Sequence, residues 1–118
     1  MKITRIYTGE DGQSHFDDVE YPFQQLDNKS YISDFIEATG AMFRKADPAG
    51  REDRWHNAPR RQIVALLSGA PMEIVTGDGS TRRLNQGDLF LAEDTTGQGH
   101  ISKCLGSEPR VTLSVTLD

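Results

Sequence analysis

A single cysteine, Cys104, stands among the 118 residues, so no disulfide can form within the chain. It lies in the run His100-Ile101-Ser102-Lys103-Cys104-Leu105, where no motif would lower its pKa, and it reads as a structural thiol rather than a nucleophile. Long apolar runs are missing as well. The longest, Ile63 to Leu67, is far too short to span a bilayer, and Met1-Lys2-Ile3-Thr4-Arg5 lacks the apolar stretch of a secretory signal. Basic charge is in deficit: 13 Lys and Arg against 18 Asp and Glu give a formal charge of −5, which argues against nucleic acid as a partner. The arginines that do cluster (Arg51, Arg54, Arg60, Arg61, Arg82 and Arg83) read as a salt-bridged surface or as a local site for an anionic group. No segment carries a sustained helical period with caps, and there is no repeat, low-complexity stretch or linker. These absences lead to the expectation of one soluble, cytoplasmic domain over 1–118, with neither membrane nor nucleic acid among its partners.

What is present is period-two patterning. Val111, Leu113, Val115 and Leu117 alternate with Thr112, Ser114 and Thr116, the pattern of a strand with one buried face. Residues 62–68 are apolar on both faces, as in a strand between two layers or in a barrel wall. Residues 71–76 and Thr81–Leu84 form the arms of a hairpin around Gly77-Asp78-Gly79-Ser80, and a second turn at Asn85–Asp88 leads to a strand at Leu89–Ala92. Upstream, Ile3–Tyr7 and His15–Tyr21 read as strands split by a turn at Gly9–Gly12. Tyr31–Ile36 reads as a strand or one helical turn. Ala41–Lys45 reads as a strand broken by Asp47-Pro48-Ala49-Gly50. Many short strands punctuated by glycine turns predict an all-β fold, a barrel or a sandwich.

Two segments carry the chemistry. Trp55-His56-Asn57-Ala58-Pro59-Arg60-Arg61-Gln62 and Gly97-Gln98-Gly99-His100 would bring His56, Gln62 and His100 to one place, a pocket with a candidate metal site. Imidazoles there serve as metal ligands or as an acid/base pair, since they titrate near neutrality; the plainer alternative is two histidines bonded to loop carbonyls. An inward Gln62 takes Val64 and Leu66 inward with it, giving a polar rim over an apolar floor. Its buried amide then needs a partner, which a metal, a ligand or Arg44 would supply. Trp55 either stacks on a ligand at the mouth or anchors its own loop. Arg60 and Arg61 face opposite sides, so only one can meet a carboxylate in the pocket; the other reading pairs them with Glu93 or Asp94. His15 would join the site only if the N-terminal strand crosses the mouth. Gly87, Gly97 and Gly99 are most simply turn residues.

The order of these elements resembles the cupin superfamily, small jelly-roll barrels built as a double-stranded β-helix. Gly50, His56, Gln62 and Gly69 fall on its first motif, and Gly87-Asp88 followed by His100 on its second. More narrowly, the chain is similar to small single-domain cupins carrying WHxAPRRQ and EDTTGxGH stretches. The resemblance covers about 40–117, with 1–39 as added N-terminal strands. It implies a small-molecule pocket and, in metal-bearing members, three histidines and a glutamate around Fe, Mn, Ni or Zn. Here Ala58 takes the second histidine's place and Gln62 the carboxylate's, leaving His56, Gln62 and His100 as a weak ligand set. Three readings stay open: a metal-dependent enzyme, a metal-free isomerase or cyclase using His56 and His100, and a non-catalytic binding or sensing barrel. The resemblance and the apolar N-terminal strands also imply a homodimer.

Overall fold

The computed structural model describes residues 1–48 and 54–118. The strands are β1 (Lys2–Thr8), β2 (Ser14–Glu20), β3 (Phe23–Gln25), β4 (Tyr31–Ser33), β5 (Gly40–Ala46), β6 (Gln62–Ser68), β7 (Met72–Val75), β8 (Thr81–Leu84), β9 (Leu89–Glu93), β10 (Ile101–Cys104) and β11 (Arg110–Thr116). The fold is all-β, and among the described residues no helix is long and apolar enough to cross a membrane. A six-stranded sheet in the order β2-β1-β9-β6-β11-β5 lies over a three-stranded sheet β10-β7-β8, and β3-β4 form a separate hairpin. The large sheet keeps two edges, β2 and β5, so the strands make an open two-layer arrangement and not a closed barrel. Ala49, Gly50 and Arg51, which entered the strand break, the first motif and the arginine cluster, lie outside the described residues.

Alternation sorts the large sheet's side chains. Ile6, Val64, Leu66, Phe90 and Ala92 point to the inner face and meet Met72, Ile74 and Leu84 of the small sheet, with Phe16 at the margin. Each large apolar side chain buried there contributes about 1.5–3 kcal/mol relative to exposure. On the outer face Ile3, Ile63 and Leu91 form a second cluster with Val19, Tyr21, Leu89 and Leu117. β6 is apolar on both sides, but only its inner face is fully covered: Val64 and Leu66 are core, while on the outer face Ile63 is buried in the second cluster and Leu67 is exposed.

β11 reverses the simple expectation from its pattern. Its buried residues are Arg110, Thr112, Ser114 and Thr116, while Val111, Leu113 and Val115 are half-exposed on the outer face. The inner layer beneath it is hollow, so polar side chains line a cavity where a packed core would demand apolar ones. Two strands escaped prediction, Phe23–Gln25 and Ile101–Cys104, and Tyr31–Ile36 resolves into the short β4 alone. Cys104 is half-buried, its Sγ donating to the Gly106 carbonyl at 3.3 Å.

The outer face is tied by a carboxylate clamp. Arg5 Nε and Arg61 Nε each donate to Glu93 at 2.6 Å, and Arg5 Nη1 reaches Asp17 Oδ2 at 3.0 Å. Burial pushes the Glu93 carboxyl up, but the two guanidinium bonds outweigh it and hold the group below its usual value. Because the folded pKa is depressed, the clamp's stabilisation is present above the unfolded value and is lost as pH falls through the folded one. Glu93→Gln should therefore cost about 1–2 kcal/mol at neutral pH in urea unfolding. The gap to wild type should narrow progressively below pH 4.5; a pH-independent gap would mean that the clamp is not the cause.

Candidate functional site

Between the sheets, on the side toward β5, lies a cavity of about 650 Å³. The two segments singled out in the sequence meet at it. His56 and His100 form an isolated antiparallel bridge, His56 N donating to His100 O at 3.0 Å and His100 N to His56 O at 2.9 Å. Their rings share one side of that bridge, centroids 4.6 Å apart. Asn57 Nδ2 fastens the same segment to the facing loop, donating to the carbonyls of Thr96 at 2.7 Å and Gly97 at 3.0 Å.

Gly99 makes this approach possible. Its φ is +79°, and a Cβ there would sit 2.0 Å from the His56 carbonyl oxygen. The position rejects every other residue twice, by backbone conformation and by contact with main chain that cannot swing aside.

Behind His100 stands a residue that sequence reading considered only as an arginine partner. Asp94 is 0% exposed. Its Oδ2 accepts from Ser14 Oγ at 2.7 Å and lies 2.5 Å from His100 Nδ1. A carboxylate only accepts, so Nδ1 carries the hydrogen, and Nε2 is the nitrogen that the ring offers to the cavity. Alternation along β9 continues through Ala92 to place Asp94 on the inner face, where a buried charge must find donors. His56 Nδ1 donates to the Arg54 carbonyl at 3.0 Å.

Gln62 and Arg44 also line the cavity, from the inner faces of β6 and β5. Gln62 Oε1 is buried without a hydrogen-bond partner, so Arg44 does not satisfy it. Thr112 and Ser114 of β11 and Ser102 of β10 add hydroxyls, and Val64, Met72 and Phe90 form the apolar floor expected beneath Gln62. Among the described residues the wall includes three cationic residues, Arg44, Arg54 and Arg110, against one acid, Asp47; Lys45 also borders the cavity but stands opposite Val111, so its side chain leaves the outer face. Arg110 is buried in the wall, and no sequence signal separated it from a surface arginine.

Other expected residues fall elsewhere. Trp55 and Arg60 are exposed and outside the cavity wall. Trp55 lies in irregular chain just ahead of the His56 bridge, and Arg60 lies on the bend ahead of β6. Arg61 turns outward to Glu93, the pairing expected as the alternative to ligand contact. His15 lies on the outer face of β2 opposite Tyr7, and its Nε2 contacts Asp11 at 2.9 Å; the N-terminal strands do not carry it to the cavity. Ala58, at the second histidine's position, is a buried core residue whose N–H donates to the Asp94 carbonyl at 3.1 Å.

The fit to a divalent ion is poor. His56, His100 and Gln62 offer two imidazoles and a neutral amide, and the nearby carboxylate is turned behind His100. Among the described residues no three His, Cys, Asp or Glu side chains converge. A cationic wall further disfavours a cation.

No family model matches the chain, and no curated protein does. Among solved structures it is similar to the crystal structure of protein NMB1881 from Neisseria meningitidis, at 14% identity over 64% of this chain and 71% of that one, with a TM-score of 0.48. That likeness is too slight to carry a conclusion about fold or chemistry.

Two substitutions test the site's construction. Gly99→Ala should lower stability by about 3 kcal/mol or more in denaturant unfolding. Asp94→Asn, turning its amide N–H toward the ring, should move the proton of neutral His100 from Nδ1 to Nε2 in nitrogen NMR; an unchanged tautomer would show that Asp94 does not set it.

Proposed function

We propose that this chain is a small cupin-type pocket protein that binds a small organic carboxylate and transfers a proton on it, with His100 as the base, without a metal. One observation carries the reading: an imidazole oriented by a fully buried carboxylate opens into a cavity with a cationic wall. Asp94 fixes the ring and stabilises the imidazolium that forms when Nε2 takes a proton. Arg44 meets the ligand's carboxylate and the charge that develops as the proton leaves. Returning the proton to a different atom or face of the same molecule completes an isomerisation or epimerisation with nothing gained or lost. Gln62 Oε1, buried and unpartnered, calls for a ligand that also carries a hydroxyl or amine donor. Hydroxy- and amino-carboxylates meet both requirements.

Ligand-observed NMR in heavy water on a panel of small hydroxy- and amino-acids tests this directly. Carboxylates should bind more tightly than their neutral amides, and Arg44→Met should weaken them about tenfold. Wild type should exchange a carbon-bound hydrogen for deuterium, and His100→Gln should slow that by about 100-fold or more. Equal binding of amides would sink the anionic ligand. Ligands that bind but remain chemically unaltered would leave a binding or sensing protein instead of an enzyme.

The metal question has its own measurement. Protein purified without chelator or metal-affinity tag should hold less than about a tenth of an equivalent of Fe, Mn, Ni or Zn, given the donor set. A stoichiometric ion, with activity that depends on it, would overturn the metal-free reading.

A further inference from the structure

The register of the large sheet fixes how far apart the cavity's two open holds stand. Gln62 pairs with Thr116 of β11, which faces Gly40 of β5 on its other side. Arg44 lies further along β5 on the same face, opposite Thr112. The two positions are therefore separated by roughly 13 Å along the strands and roughly 10 Å across them, about 16 Å in all. Side chains stand roughly upright on a sheet, so the Gln62 amide and the Arg44 guanidinium do not meet. The bonding agrees. Gln62 Oε1 is buried without a partner, and among the described residues Arg44 forms no hydrogen bond or ion pair.

What lies between them is mostly apolar. The intervening row is Phe90, Val64, Ser114 and Met42, and all four line the cavity. Only Ser114 among these offers a polar group. The cavity's volume of about 650 Å³ falls in the range of sites for drug-sized ligands, well beyond what a two- or three-carbon acid fills.

We propose that the ligand is an elongated carboxylate whose hydroxyl or amine donor lies about six carbons from the acid group. The acid rests on Arg44, the donor on Gln62 Oε1, and the chain crosses Val64, Phe90 and Met42. A 2-hydroxy acid holds its two polar groups about 3 Å apart. With a hydrogen bond of about 2.9 Å at either end it spans about 9 Å, enough for one hold but not for both. An extended six-carbon chain separates its ends by about 8 Å and spans about 14 Å on the same terms. The lean of the long Arg44 side chain along its strand closes the rest. The inference rests on Arg44 and Gln62 being the ligand's two contacts, and it narrows hydroxy- and amino-carboxylates at large to those with separated ends.

Titration calorimetry of the whole chain with glycolate, 6-hydroxyhexanoate, hexanoate and 6-hydroxyhexanamide tests it. The six-carbon hydroxy acid should bind about tenfold or more tighter than glycolate. Length alone adds apolar burial, so two variants decide. Arg44→Met should weaken 6-hydroxyhexanoate about tenfold and Gln62→Leu about fivefold, whereas glycolate and hexanoate should respond to Arg44→Met alone. Glycolate weakened by both variants, or 6-hydroxyhexanoate indifferent to Gln62→Leu, would overturn the span. Should Gln62→Leu fail to fold, a comparison on wild type replaces it: 6-hydroxyhexanoate should bind about fivefold tighter than hexanoate, and equal affinity would overturn the span. The amide separates the two claims. An amide that binds as tightly as its acid would remove the anionic ligand itself, whatever its length. A preference for acids that is strongest at two carbons would remove only the span. No binding by any of these compounds at millimolar concentration would overturn both.

Discussion

A carboxylate sealed from water governs this structure. Asp94 has no exposed surface, and an ionised group in such a place requires donors that are already in position when the chain closes over it. Ser14 reaches it from β2 and His100 from the loop ahead of β10, while its own main-chain carbonyl accepts the Ala58 N–H. Three segments far apart in sequence are thereby held around one residue. The His56–His100 bridge, the seat of Gly99 and the orientation of the imidazole all lie within reach of that point. Structure and candidate chemistry meet there: the bonds that make the burial tolerable also aim a nitrogen into the cavity.

The cavity exists because the two layers differ in width. Six strands lie over three, and the inner faces of β11 and β5 extend beyond the part of the large sheet that the small one covers with core. Where the layers meet, the inner face is isoleucine, leucine, methionine and phenylalanine. Where they do not, it becomes arginine, threonine and serine. The boundary runs through β6, whose Gln62 faces the hollow while Leu66, two positions further along the same face, is core. A polar pocket beside an apolar core follows from one sheet overhanging another.

Most strand positions along the chain were legible because alternation and glycine turns act locally. The meeting of His56 and His100 was legible for a similar reason, since the segments carrying them show paired histidines beside strands. What stayed hidden depends on neighbours distant in sequence. Alternation in β11 marks two faces but does not say which one is inside; the apolar face is normally buried, and only the hollow beneath β11 reverses that. Asp94 sits in an acidic, threonine-rich loop like any surface aspartate, and its burial follows from the Ser14 hydroxyl arriving from 80 residues away. Arg110 and Arg60 look alike as letters, yet one lines the cavity and the other lies on a solvent-facing bend. Tyr31–Ile36 has strand-like residues, of which Tyr31–Ser33 form β4, but nothing in its pattern tells a strand within a sheet from one that pairs only with β3.

The division of labour along β11 has an evolutionary consequence. Thr112 and Ser114 touch the cavity without belonging to either apolar cluster, and Val111, Leu113 and Val115 look the other way. Exchanging the hydroxyl-bearing positions for others of similar size would redraw the cavity's outline and leave the packing that keeps the sheets together untouched. A lineage built on this plan can drift from one ligand to another through single substitutions on one face of one strand. Stability and specificity are here inherited separately.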